Sequence, residues 1–213
     1  MHGELHVALC GNVDVNGRIF CVFACCLLTT VVFLRAAEAV PEYTNVQTIA
    51  EREMALKVAF IYNFLLFTEW PASANESGNF SIGVIGSRKA MEPFLELERN
   101  AINQRAVVVT ILEPKAIADA DFSRFSVVYI SSDSVLDSNP VLEKLKRIPA
   151  LTISDDDGFL KKGGMIRIFS KENHLRFEIN LAPARFVGIS FRSRLLRLAS
   201  KVIDNAAEQK AVL

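Results

Sequence analysis

Four stretches of the chain combine residue types and spacing that could do chemistry. The first is Asp155-Asp156-Asp157-Gly158. Acids at alternate positions followed by glycine suggest a calcium loop, which also needs a distant glutamate. Here the glycine follows directly and no helix pair flanks the run, so an acidic turn closing a strand is the simpler expectation. The ends of parallel strands are nonetheless where α/β folds hold ligands. The second is Gly83-Val84-Ile85-Gly86-Ser87-Arg88. It lacks the Lys-Ser/Thr of a phosphate loop and the three glycines of a dinucleotide site. Gly86 with Ser87 reads as a turn and helix cap, with a weak anion site near Arg88 as the alternative.

The third is Lys162-Gly163-Gly164-Met165. Paired glycines allow positive φ or close backbone approach, so they make either a turn into an edge strand or a loop shaping a partner surface. The fourth is Arg192, Arg194 and Arg197. Arg194 and Arg197 are three apart and share a helix face, which is either solvated or suited to an acidic partner. Beyond residue 39 the chain keeps one histidine, His174. A serine triad would have to use it, yet it adjoins a predicted hairpin turn and no nucleophile motif supports it. A zinc site lacks a second histidine or cysteine there.

The elements that position these residues follow from periodicity. A polar leader runs from Val40 to Ala50. A helix starts near Glu51, with apolar residues on most of its surface, and should be well buried. Trp70-Pro71 ends it, with Trp70 at a bend. Phe80–Ile85 is a strand, followed by a helix over about Arg88–Asn100. Ala106–Leu112, Val127–Ser131 and Leu151–Ser154 are strands buried on both faces. Ser138-Asn139-Pro140 opens a helix to about Ile148. Met165–Ser170 and His174–Ile179 form a hairpin. A short helix covers Ala182–Phe186, and a last one runs from Ser193 to about Ala207. Alternating strands and helices give one three-layer α/β domain: a mostly parallel sheet, helices on both faces, and a C-terminal antiparallel hairpin. In the hairpin Glu178 and Asn180 share a face; if buried they need partners, so structural and binding roles both stand. Trp70 and Pro71 are a bulky pair that suits either a core anchor or a contact surface.

The N-terminus reads as an export signal. Arg18 precedes the 16 uncharged residues Ile19–Leu34, and Ala37-Glu38-Ala39 supplies small residues at −3 and −1 of a cut. A spanning helix needs about 20 apolar residues. The alternatives are an uncleaved anchor, or a lipoprotein cut before Cys25. The long mixed-charge stretch before Arg18 also allows a start codon downstream of Met1. Cleavage removes residues 1–39 and leaves 174 of 213 for one domain, 40–213. All four cysteines (Cys10, Cys21, Cys25, Cys26) go with the signal, so no disulfide or thiolate chemistry is expected. The whole chain has 24 basic and 24 acidic residues. The signal takes Arg18 and Arg35 against Glu4, Asp14 and Glu38, leaving 22 against 21. A nucleic-acid binder shows a basic excess or patch, and no long basic run appears.

Several ordered blocks resemble one family. Lys57-Val58-Ala59-Phe60-Ile61-Tyr62-Asn63-Phe64, followed by Phe67-Thr68-Glu69-Trp70-Pro71, is similar to the first helix of the YfiR/HmsC-like periplasmic proteins. Leu151–Asp155 with Gly158-Phe159, Gly163–Ile166, Leu175–Leu181 and Leu195–Ala199 follow in the same order. The resemblance spans Ala50 to Ala199. It implies a periplasmic α/β domain without catalysis or cofactor. It further implies a repressor that binds the periplasmic part of an inner-membrane diguanylate cyclase and so lowers cyclic-di-GMP and biofilm formation. An outer-membrane lipoprotein can sequester such repressors, which tend to dimerise. Some members carry redox-responsive cysteines, and this chain has none beyond its signal, which excludes disulfide sensing.

Three functions are therefore weighed. The first is a non-catalytic periplasmic regulator, whose contact residues would come from Trp70, Pro71, Gly163, Gly164, Glu178, Asn180, Arg194 and Arg197. The second is a small-ligand sensor or solute-binding domain, with a pocket at the strand ends near Gly86, Ser131 and Asp155. The third is a hydrolase with a metal on Asp155 or Asp157.

Overall fold

The computed structural model describes residues 48–74, 78–134 and 137–204. The export signal read in residues 1–39 lies outside them. Helix α1 (Ile49–Phe67) opens with a capping box: the Glu51 N–H donates to the Thr48 hydroxyl, and the Thr48 N–H donates to the Glu51 carboxylate at 2.9 Å. This satisfies two N–H groups that a helix start would leave unpaired. The helix ends earlier than expected, because Thr68 and Glu69 go extended as β1 (Thr68–Glu69) and pair antiparallel with β9 (Ser190–Phe191).

The main sheet contains β2 (Phe80–Ile85), β3 (Ala101–Ile102), β4 (Arg105–Leu112), β5 (Val127–Ile130), β6 (Leu151–Ser154), β7 (Ile166–Lys171), β8 (His174–Asn180) and β10 (Lys201–Ile203). Their order is β10-β8-β7-β6-β5-β2-β4-β3. Only the β7–β8 hairpin and the β3–β4 edge pair antiparallel. The hairpin turns on Glu172 and Asn173, both at positive φ, which joins Lys171 directly to His174. This is the mixed α/β sheet expected, accompanied by the small β1–β9 ribbon.

One face of the sheet packs Ile61, Phe64 and Leu65 of α1 against Ile82, Val84, Ile153, Ile166 and Phe177. The other packs Val141, Leu142 and Leu145 of α3 (Asn139–Leu145) against Val128, Ile130 and Phe159. Each such side chain, fully buried, contributes roughly 1.5–3 kcal/mol.

Five expectations need correction. Helix α2 (Arg88–Met91) is one turn long and continues as a 3-10 stretch over Glu92–Arg99. Pro93 has no N–H to give to the preceding turn. Ser87 makes no side-chain cap bond. Strand β4 is covered on one side, with Val107 and Val109 inward and Ala106 and Val108 exposed. Similarly, α1 leaves Ala55, Leu56 and Ala59 on an open face. Finally, α5 (Ser193–Leu198) stops well before Ala207. The Ser200 N–H donates to the Phe177 carbonyl at 2.8 Å, and Lys201–Ile203 adds to β8 in parallel. Unpaired groups on β8 thus outweigh helix propensity. The short α4 (Leu181–Phe186) lies between β8 and β9 as expected.

Candidate functional site

Strand β2 is followed by β4 on one side of it and β5 on the other. The chain therefore changes direction between β2 and β5, and α/β sheets hold ligands beyond the strand ends at such a point. A cleft of about 420 Å³ lies there, lined by Lys89 after β2, Ser132 and Asp133 after β5, and Asp155 after β6. The first turns of α1 form one wall and β7 forms another.

A buried ion pair builds the wall of the cleft. The ammonium of Lys57, on α1, lies 2.6 Å from one Asp155 carboxylate oxygen and 3.0 Å from Glu53. The other Asp155 oxygen accepts the Ser132 N–H at 2.7 Å. Side-chain exposure is 11 % for Lys57 and 9 % for Asp155. Burial by itself would lower the Lys57 pKa, but the Asp155 and Glu53 carboxylates outweigh it and hold the ammonium above its ordinary value. Below them Tyr129 is fully buried, its hydroxyl beside Asp155 and Ser131 but making no hydrogen bond of good geometry among the described residues. Burial, followed by the charges of Asp155 and Asp133, pushes its ionisation well up, so the phenol stays neutral.

The three aspartates diverge onto three separate cations. Asp155 takes Lys57, Asp156 takes Lys162 at 2.9 Å, and Asp157 takes Arg167 at 2.9 Å. Lys162, with the Gly158 N–H, holds the Asp156 carboxyl below its usual range. No group of three or more candidate metal ligands converges among the described residues. Among the described residues each of the three carboxylates thus faces its own cation and the three do not share one position.

A family model described as YfiR/HmsC-like matches residues 54–200. The chain belongs to the YfiR/HmsC-like family. No curated protein matches it significantly. The matched span runs from the middle of α1 to the residue before β10 and contains Lys57, Tyr129, Asp155 and Arg167 of the site.

In this YfiR/HmsC-like domain the residues singled out from sequence fall into separate places. Glu178 pairs with Arg167 at 3.2 Å and so borders the cleft. Asn180 is structural: its oxygen accepts the Ala182 N–H at the start of α4, and its amide donates to the Leu160 carbonyl. Trp70 stacks edge-on against Phe80 and donates to the Ser126 carbonyl at 3.2 Å, while Pro71 packs beside Gly188. Gly163 has φ of +95°, and Gly164 lies flat against the buried Phe159 ring. Arg194 sits over the Phe67 ring at 5.5 Å, and Arg197 is exposed on the same short helix. His174 is exposed at the hairpin turn, with Nδ1 2.7 Å from the Glu172 carbonyl oxygen.

Only Glu178 of that set touches the cleft network. Lys57, Tyr129 and Arg167 were missed by sequence reasoning. Lys57 did carry a signal, since it interrupts the most buried stripe of an apolar helix. A charge there needs a buried partner, and Asp155, closing a strand buried along its whole length, was the matching anomaly.

Proposed function

We propose that this chain is a periplasmic regulator without catalysis, which represses a membrane-bound diguanylate cyclase by protein binding and so lowers cyclic-di-GMP and biofilm formation. Membership of the YfiR/HmsC-like family over residues 54–200 carries this reading. The site is in keeping with it, because Lys57, Lys162 and Arg167 each face a carboxylate and act as struts. Among the described residues no helix is long and apolar enough to cross a membrane. On this reading the partner is an inner-membrane sensor, an outer-membrane lipoprotein can sequester the chain, and the working unit is a homodimer.

The test is affinity capture from solubilised membranes of the native host. The reading expects an inner-membrane protein with a diguanylate cyclase domain, whose cyclase activity falls when the chain is added back. Unchanged cyclase activity on saturating addition contradicts it.

A second reading is favoured by one specific observation, the position of the cleft at the turning point of the sheet. It makes the chain a periplasmic small-ligand sensor. Thermal shifts against panels of nucleotides, amino acids and vitamins separate the two. A tight ligand with no protein partner favours the sensor.

A further inference from the structure

The cations of this chain are unevenly spread. Basic and acidic residues are equal in number overall. Between Glu178 and Asp204, however, there are five cations (Arg185, Arg192, Arg194, Arg197 and Lys201) and no acid. Folding leaves three of the five open. Arg185 pairs with Asp204, and Arg192 pairs with Glu69. Arg194, Arg197 and Lys201 are exposed and make no ion pair among the described residues.

Apolar side chains break the surface at the same place. Phe186 is 62 % exposed, Leu198 65 % and Val202 39 %. A single exposed apolar residue is ordinary, but these three lie on elements that adjoin. Helix α4 packs against β10, and the Arg185–Asp204 pair ties the helix to the end of that strand. Only Ala199 and Ser200 separate α5 from β10. Ala184 of α4 and Leu195 of α5 are buried in the core beneath α1, which puts both helices on one side of the sheet. Ile203 packs against the opposite core, so its neighbour Val202 turns to the side of the helices. Arg194, Arg197 and Leu198 stand at i, i+3 and i+4 and share one face of α5. Lys201 takes the other face of β10, the last strand of the sheet, and borders the patch across that outer edge.

The form of this surface decides what it fits. Phe186 and Leu198 project rather than line a groove, since well over half of each meets solvent. An acidic protein surface would satisfy the cations but set these side chains against carboxylates. An anionic bilayer satisfies both kinds of group at once. Its phosphates take the arginine and lysine heads, and its acyl boundary takes the leucine, phenylalanine and valine. Each basic side chain at such a surface is worth about a fivefold change in binding.

We propose that α4, α5 and β10 form a peripheral docking surface for an anionic phospholipid bilayer. Arg194, Arg197 and Lys201 meet the headgroups, and Phe186, Leu198 and Val202 enter the interface. The proposal goes beyond the repressor reading and stands without it. On that reading, the surface holds the chain on the membrane that carries its partner.

The probes are vesicles of three parts phosphatidylcholine to one part phosphatidylglycerol, vesicles of phosphatidylcholine alone, and the charged vesicles made with brominated acyl chains. The protein is the exported chain purified from the periplasm. Sedimentation is expected to show binding to the charged vesicles at least tenfold tighter than to the uncharged ones. Half-molar salt should weaken it at least tenfold, because screening removes the headgroup attraction. Arg194→Gln with Arg197→Gln should weaken it at least tenfold, at about fivefold for each residue. Should that variant misfold, Arg197→Gln with Lys201→Gln takes its place with the same expectation, since both side chains are exposed. The emission of Phe186→Trp should be quenched by the brominated chains, over and above any change in the unaltered chain, whose one tryptophan is Trp70. Equal binding to the uncharged vesicles, binding that the charge variants keep, or Phe186→Trp emission untouched by bromine overturns the proposal. No binding to any vesicle also overturns it, and capture of poly-glutamate in that case assigns the cations to an acidic protein. Charge-dependent vesicle binding in a chain that leaves cyclic-di-GMP unchanged supports this surface while sinking the repressor reading. A charge variant that loses the vesicles yet still represses supports the surface and shows that repression does not need it.

Discussion

The Lys57 ammonium lies 2.6 Å from the Asp155 carboxylate, tying the middle of α1 to the end of β6. This bond fixes the wall of the cleft, because the other Asp155 oxygen also holds the Ser132 N–H beyond β5. Removing one member of a buried pair strands the other charge, at a cost of several kcal/mol. Lys57→Met should cost about 3 kcal/mol, the lower end of the range for a broken buried pair, since the cleft admits water to Asp155. Adding Asp155→Asn should recover most of the loss. Urea unfolding of the two single variants and the double variant measures the coupling.

Tyr129 offers the opposite expectation. Its hydroxyl lies beside Asp155 and Ser131 but makes no hydrogen bond of good geometry among the described residues, and a group buried in this way costs about 1–3 kcal/mol of desolvation. Tyr129→Phe should therefore be neutral or stabilising at pH 7.

Alkaline stability separates the same two side chains. The folded state holds the Tyr129 proton to a higher pH than the ordinary value of 10.0, and the Lys57 proton higher than 10.5. The unfolded chain loses both protons first. Stability is then complete below about pH 10 and falls as pH rises past it, by about 1.4 kcal/mol per pH unit for each proton held. Tyr129→Phe should lose its share of that slope and Lys57→Met the other. Denaturant unfolding between pH 9 and pH 11.5 reads both.

The two adjacent glycines should respond for different reasons. Gly163 has φ of +95° and open space around it, so Gly163→Ala should cost about 1–2 kcal/mol of backbone strain. At Gly164 a methyl group would enter the ring of Phe159, which is fully buried and cannot swing aside. Gly164→Ala should cost at least about 3 kcal/mol or prevent folding. Thermal melts rank them, and a Gly164→Ala chain as stable as Gly163→Ala contradicts this packing.

Much of the sheet was legible because its strands are short, apolar and β-branched. Phe80–Ile85, Leu151–Ser154 and the Met165–Ile179 hairpin appear within a residue or two of where periodicity puts them. Strand β10 was not legible, since Lys201-Val202-Ile203 continues a helix-like pattern and only the unpaired edge of β8 makes it a strand. The site was half legible. Asp155 stood out as a charge closing a buried strand, and of the pocket expected near Gly86, Ser131 and Asp155 the cleft lining takes in Asp155, with Ser132 next to Ser131, and leaves out Gly86. Its counter-ion lies 98 residues away in sequence, and no local pattern announces a partner at that range.

The central claim is that the chain restrains cyclic-di-GMP synthesis from the periplasm. Its most direct test is cellular cyclic-di-GMP in a strain lacking the gene, and in that strain carrying the intact chain or a version without residues 1–39. The account predicts a rise on deletion, reversal by the intact chain, and no reversal by the version that cannot be exported. Cyclic-di-GMP that stays level on deletion, or that the non-exported version restores, contradicts it.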